Sequence, residues 1–334
     1  MMRGDKQKLI DLLKGKKVAY IATKNADYIR ISQEVSLVRN YADKALIITS
    51  NKAKYISRLL DVYKSILTTD FRDYDIVFVG FMAQMILPWF KAKFQSTQII
   101  EDFFISIYDT LTNDRQRFSP QSLVGKLVHW IDKLSLKSAD IIISDTNTHG
   151  KYFRQEFGIT RKTFLTLYLE ADRSLYYPRL LQKPEQWRDK FLVLYFGSIL
   201  PVQGVDVVLN AVRRLSDWPQ IHFIIIGPIE DKIHKPNTAN VTYIDWLSQQ
   251  ELARYIAFSD LCLAGHFSNR VEKANRTIPG KAYIYEAMDK PIVLGDSNGN
   301  KELFSQNEQI TIVKRGSSSS LAKVILQSRE KYES

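Results

Sequence analysis

A single cysteine among 334 residues, Cys262, excludes an intramolecular disulfide and argues against a thiolate metal centre. It stands in the strand-like run LCLAG and reads as a buried core thiol. Long apolar runs are also missing: the longest, IVFVGFMAQMILPWF (76–90), is interrupted by Gln84 and Pro88, so no transmembrane helix is read. The opening residues, MMRGDKQKLIDLLKGKK, scatter charge through their apolar positions instead of forming a signal-peptide core. A cytoplasmic protein is expected. Neither GxGxxG nor GxxxxGK(S/T) occurs, which disfavours a dinucleotide fingerprint and a P-loop. There is also no arginine-rich run, zinc-finger spacing or aromatic RNA-binding signature, so no nucleic-acid partner is expected.

The chain does have a globular composition, 45% hydrophobic and 25% charged, at a length that suits two domains. Its net charge of +11 is uneven. Residues 1–175 carry 27 basic against 19 acidic side chains and residues 176–334 carry 20 against 17, so the excess lies in the first half. A basic face attracts anionic membrane or phosphorylated substrates.

Short β-branched runs alternate with helical patterns from end to end: VAYIAT, ALIITS, DIVFVG, TQIIEDF and ADIIISD, then FLVLYFG, IHFIIIG, DLCLAG and KPIVLGD. Near-continuous apolar strands separated by helices indicate parallel sheets covered on both faces. Two such series predict an α/β chain with two Rossmann-like, doubly wound domains, 1–175 and 176–334. The change-over is read in EADRSLYYPRLLQKPEQW (170–187), where prolines and clustered charge interrupt the rhythm. Ser248 to Glu251, SQQE, is a capping box opening a helix. The tail RGSSSSLAKVILQSREKYES predicts a last helix with Leu321, Val324 and Ile325 on one side, able to pack back on the N-terminal domain.

Two stretches place chemistry at strand ends. FGSILPVQG follows the strand FLVLY and precedes the helical GVDVVLNAV, setting Gly197, Ser198 and a helix N-terminus where free backbone N–H groups bind phosphates. A glycine required only by a tight turn is the plain alternative. KANRTIPGKAYIYEAM (273–288) brings Lys273, Arg276 and Lys281 to a helix start, with Thr277 as cap and Pro279 in the first turn. Lys281 and Glu286 lie roughly 140° apart at ~100° per residue, so an ion pair does not account for them. Cations for phosphates and a carboxylate for a sugar diol fit the pattern, as does solvated charge on an ordinary amphipathic helix.

Other carboxylates invite weaker readings. Asp73 and Asp75 in DYD read as a polar strand entry more readily than as metal ligands. PWFKAKF interleaves Trp89, Phe90 and Phe94 with Lys91 and Lys93, either a membrane-facing segment or a surface helix with its aromatics in the core.

KANRTIPGKAYIYEAMDKPIVLGD followed by ELF resembles a pattern of the retaining family-four glycosyltransferases of GT-B fold, with K-A-x-R-x-I-P-x-K-x-Y leading into an E-A helix and a P-x-V strand. IIEDFFISIYDTLTNDR and ADIIISDTNTHGKYF resemble the same family's N-terminal domain. The resemblance implies two domains facing a cleft and metal-independent transfer, with retention, from a nucleotide sugar, UDP-linked, to a glycan or lipid-linked saccharide. No cofactor is implied beyond the donor. The expected location is the cytoplasm, on the inner face of the membrane if PWFKAKF and the basic first half meet lipid.

By the same resemblance Arg276 and Lys281 hold the diphosphate, and Glu286 the ribose, beside Gly197 and Ser198. Trp246 would lie against the base, or in the core. Asp102, Asp109, Asp114 and Arg115 fall in a loop on the acceptor side, where Asp109 would position the acceptor hydroxyl or serve as an Asx turn or cap. His149 is expected to make local hydrogen bonds at a helix start. Ser198 and Gln203 stand where the family commonly has cations. That departure keeps open a non-catalytic scaffold of a membrane polysaccharide assembly, and a nucleotide-sugar epimerase is a further alternative.

Overall fold

A computed structural model describes residues 3–197, 200–229 and 233–333. The chain divides into two compact units, Met1–Glu170 and Ala171–Ser334, so the boundary falls earlier than residue 175. In the first unit β1 (Lys17–Ile21), β2 (Lys44–Ile48), β3 (Ile76–Val79), β4 (Gln98–Asp102), β5 (Ile141–Ser144) and β6 (Thr163–Thr166) form one parallel sheet in the order β2-β1-β3-β4-β5-β6. In the second, β7 (Phe191–Phe196), β8 (Ile221–Ile226), β9 (Val241–Ile244), β10 (Leu261–Gly265), β11 (Ile292–Gly295) and β12 (Ile310–Val313) form another in the order β12-β11-β10-β7-β8-β9.

The apolar runs become central strands because both faces are covered. Along β7, Phe191, Val193 and Tyr195 face one core while Leu192 and Leu194 are buried on the other side. Strand order reverses between β1 and β3 in the first sheet and between β7 and β10 in the second. Ligands of open α/β sheets bind outside the carboxyl ends of strands at such switch points.

The capping box forms as read, with Ser248 and Glu251 opening the helix Gln249–Phe258. Cys262 is fully buried, and burial pushes its thiol up to about 12. The last helix, Ser318–Glu333, sets Leu321, Ala322 and Ile325 in the core of its own C-terminal unit, beside Val208 and Val212. One expectation needs correcting. Thr277 does not open the next helix: its hydroxyl turns back to the carbonyl of Lys273 at 3.0 Å, closing the preceding turn Lys273–Arg276. The next helix is Gly280–Ala287, so Pro279 lies at its N-cap, not in its first turn.

Candidate functional site

The carboxyl edge of the second sheet is built from bare backbone. β7 runs into Gly197, whose N–H donates to Ile226 O at 2.9 Å; its φ of 133° lies outside the comfortable range of residues with a Cβ. Ser198 lies outside the described residues. Gly227, with φ 136°, packs so tightly on this turn that a Cβ there would fall 2.2 Å from the carbonyl oxygen of Gly197. Beyond the turn Pro201–Gln203, the helix Val205–Arg214 starts at Gly204, its first N–H groups at the same edge. β10 ends in Gly265 and is followed by His266, both at positive φ, and buried His266 brings Nδ1 to 3.0 Å from Thr277 O.

Lys281 reaches this edge from the first turn of Gly280–Ala287. Its Nζ donates to Gln203 Oε1 at 2.7 Å and lies 4.1 Å from the centroid of the Tyr195 ring. Only 6% of the residue is exposed, and burial lowers its pKa to about 7. A Cβ on Gly265 would fall 3.0 Å from Nζ and one on Gly197 3.5 Å, so both glycines leave room beside the ammonium. Both its partners, an amide oxygen and a ring face, are neutral. The ammonium therefore sits desolvated at the switch point between β7 and β10 with no countercharge among the described residues, an arrangement that an anionic ligand would complete.

Arg276 is half-buried at the end of the turn Lys273–Arg276. That turn is pinned to the loop after β11: Asn275 accepts from Gly299 N at 2.9 Å and from Asn298 N at 3.1 Å, and a Cβ on Gly299 would meet the Arg276 carbonyl at 2.8 Å. Glu286 is half-buried in the last turn of Gly280–Ala287, ~7.5 Å along the axis from Lys281. The structure therefore brings Lys281, Gln203, Gly197 and Gly265 together and leaves Glu286 at the other end of its helix. Trp246, two residues past β9, is 75% exposed and does not enter the core. Gln203 was the residue sequence reasoning undervalued: it stood out only as a missing cation, yet its side-chain oxygen holds Lys281.

The N-terminal candidates need more revision. Asp102 ends β4 fully inside the unit, accepting from Arg30 Nε at 3.0 Å and Nη2 at 2.7 Å. Glu34 completes this cluster, 3.1 Å from Arg30 Nε and accepting from Tyr20 OH at 2.6 Å. Asp102 is thus a core ion-pair member, not an acceptor-side residue. Asp109 is also sealed from solvent; its Oδ1 accepts from Asn113 Nδ2 at 2.9 Å and Tyr152 OH at 3.2 Å, so it braces its own helical segment, Asp109–Asp114, instead of standing open to an acceptor. Asp114 is buried and Arg115 exposed, so the four do not form one surface cluster.

His149 makes the local contacts expected of it, Nδ1 to Asp145 Oδ1 at 2.7 Å, with its N–H on the Thr146 cap. Asp75 accepts from Lys17 N at 2.8 Å as a strand-entry residue. In PWFKAKF, Phe94 is buried against Phe71 and Phe90 packs on Tyr63, while Trp89, Lys91 and Lys93 face outward.

An open cavity of about 650 Å³ at the opposite edge of the second sheet includes Lys183, Asp260 and Lys290 in its lining. Lys183 there pairs with Asp260 at 2.6 Å, and Lys290 donates to Ala257 O.

Residues 190–330, most of the second unit, match the family model described as Glycosyl transferases group 1. An uncharacterized 41.2 kDa protein in the cps region of Klebsiella pneumoniae is 26% identical over 144 residues, covering 41% of this chain and 39% of that one. Chitobiosyldiphosphodolichol beta-mannosyltransferase of Candida albicans is 25% identical over 267 residues, covering 72% of this chain and 57% of that one. The chain therefore spans less than two thirds of the length of either relative. Anabaena HepE, solved in complex with UDP, superposes with a TM-score of 0.65 at 14% identity, covering 95% of this chain and 91% of that one. The two doubly wound units have the GT-B fold.

Proposed function

We propose that the protein is a glycosyltransferase that binds a nucleoside diphosphate sugar, UDP-linked, on its C-terminal unit and passes the sugar to a hydroxyl of a glycan or lipid-linked saccharide. The observation that carries this reading is the buried Lys281 ammonium at the β7/β10 switch point, held by neutral partners within the residues that match Glycosyl transferases group 1. A diphosphate placed there would meet Lys281, the half-buried Arg276 and the free N–H groups that open Val205–Arg214.

The chemistry follows from where charge develops. As the glycosidic bond to the diphosphate breaks, negative charge grows on the departing phosphate oxygen, and a fixed cation in a desolvated site stabilises that charge more than the ground state. Lys281 and Arg276 supply this role without a metal, and no protein nucleophile is assigned. Exposed Trp246 offers a flat apolar face to the base, and Glu286 a carboxylate to the ribose, the latter with the smaller part because it sits further down its helix. Retention of configuration and an acceptor carried on lipid belong to the same proposal. The first rests on the family resemblance alone, and the second is supported by the C. albicans relative's name.

A panel of UDP- and GDP-sugars, scored by thermal stabilisation and by donor hydrolysis, tests the reading, since a ligand of the folded state raises its melting temperature by mass action. Stabilisation by one donor, lost in Lys281→Ala, is the expected outcome. If no nucleotide or nucleotide sugar binds, the donor site is refuted and the non-catalytic scaffold takes its place. Anomeric NMR of the product then reads the stereochemistry.

A further inference from the structure

We propose that the outer surface of one helical layer of the N-terminal unit is a docking face for an anionic lipid bilayer. The layer consists of Tyr55–Thr68, the short turn Leu87–Phe90 and Leu123–Ser138, which cover the same face of the first sheet: Val62, Ile66, Leu87 and Val128 share one core with Val77 and Ile142. This surface extends the membrane contact expected at Trp89, Lys91 and Lys93, and it is argued apart from the donor site.

Leu123–Ser138 is apolar on both sides. Its inner side buries Val128 and Leu136 beside Asp132, which accepts from Ser106 Oγ at 2.6 Å and Tyr108 N at 2.9 Å, and Ser135, which donates to Glu101 at 2.5 Å. Its outer side carries Leu123, Leu127 and Trp130, 86%, 53% and 53% exposed, within about 60° of one another at ~100° per residue. A surface helix ordinarily keeps its outer side polar, so an outward apolar stripe of this size points to something other than water. Tyr55–Thr68 repeats the feature. Ile56, Leu60 and Leu67 are each more than 60% exposed and fall within about 40° of one another. Trp89, 60% exposed, projects from the short turn packed beside both helices, whose Phe90 touches Tyr63 at 4.9 Å.

Charge selects the occupant. Lys64, Lys91, Lys93, Lys126 and Lys137 are exposed on these segments, whereas the acids there are Asp132, buried, and Asp61, already paired with Lys52 at 3.2 Å. A second copy docked through this face about a two-fold axis would set lysines against lysines. Anionic headgroups would neutralise them while the leucines and tryptophans enter the interfacial layer, as amphipathic surface helices do.

The test uses the full chain with vesicles of phosphatidylcholine alone and of phosphatidylcholine with phosphatidylglycerol, read by co-sedimentation. Wild type is expected to pellet with the anionic vesicles, weakly with the neutral ones, and less as salt rises. Leu127→Glu with Trp130→Glu should lower binding at least about tenfold with an unchanged melting temperature. Ile56→Glu, on the other helix, gives a second reading should the double variant fail to fold. Wild type that stays in the supernatant with anionic vesicles, or Glu variants that pellet like wild type, would overturn the proposal. So would a lipid-independent dimer, seen by sedimentation velocity, that the same substitutions dissociate. Because no nucleotide is present, failure here leaves the donor reading untouched.

Discussion

Both units bury a cation where parallel strands end, and they satisfy it in opposite ways. In the N-terminal unit Arg30 is fully enclosed, forked onto Asp102, bonded to the Leu167 carbonyl and next to Glu34. The protein supplies every partner. In the C-terminal unit Lys281 has an amide oxygen and a tyrosine ring, and no carboxylate among the described residues. A compensated buried charge serves the fold, whereas an uncompensated one costs stability and persists where a ligand completes it. The same sheet edge is thus closed by ion pairing in one unit and kept receptive in the other.

The largest effect should come from breaking the compensated side. Arg30→Ala would leave Asp102 and Glu34 buried around no cation, with an expected loss of about 3–5 kcal/mol in chemical denaturation. Lys281→Ala should leave stability unchanged or slightly raised, because it removes a desolvated charge, while donor binding falls about 10- to 100-fold through lost charge-assisted hydrogen bonds. If Lys281→Ala destabilised the protein as much as Arg30→Ala, the contrast would be wrong and Lys281 would be structural.

Gly265→Ala tests whether the receptive edge depends on bare backbone. The added Cβ would lie 2.7 Å from Gln203 Oε1 at a φ of 91°, so the Gln203–Lys281 bond must shift. A cost of about 1–3 kcal/mol is expected from the strained backbone, together with weaker donor binding. Wild-type stability and affinity in this variant would show that the Gln203–Lys281 geometry is immaterial.

Stability should also respond to pH with opposite signs in the two units. Burial pushes Glu101 up to about 8 and Asp132 up to about 7, so the fold holds protons on these two carboxyls that the unfolded chain gives up; their contribution to the N-terminal unit's stability is full below about pH 4 and is lost as pH rises through 7 to 8. Lys281 titrates near 7 instead of about 10.4, so the unfolded chain holds more protons between those values and the C-terminal unit gains stability as pH rises across them. Hydrogen exchange followed separately in the two halves from pH 5 to 9 reads both slopes, after correction for the intrinsic pH dependence of exchange. Parallel slopes would remove the distinction. A bound diphosphate should reprotonate Lys281, so binding takes up a proton near neutral pH and weakens as pH rises.

The central strands were legible because a strand buried on both faces writes a continuous apolar run, as in IVFV and FLVLYF. β6, β9 and β12 were not singled out, and all three lie at sheet edges, where TFLT, VTYI and ITIV are mixed in polarity and only partly buried. The site was readable in residue type but not in partnership. Lys281 announced itself as a cation at a helix start, whereas its bond to Gln203 spans 78 residues of sequence. Asp102 and Asp109 were misplaced for a related reason. A carboxylate near a loop reads alike whether it faces solvent or an arginine, and Arg30 in IRISQEV carries no mark of burial.

The smallest expected effect bears on how far the receptive edge extends beyond the phosphate groups. Trp246 follows the edge strand β9, on the carboxyl side of the same sheet, and 75% exposure leaves its ring face free to take a base. Stacking of an exposed aromatic is worth about 1 kcal/mol, so Trp246→Ala should weaken UDP binding roughly fivefold by calorimetry. Unfolding should not change, because little of the side chain is packed. An affinity equal to wild type would confine the nucleotide site to Lys281, Arg276 and the glycine turn. The recognition of the base would then have to come from groups nearer to β8 and the Gly227 turn.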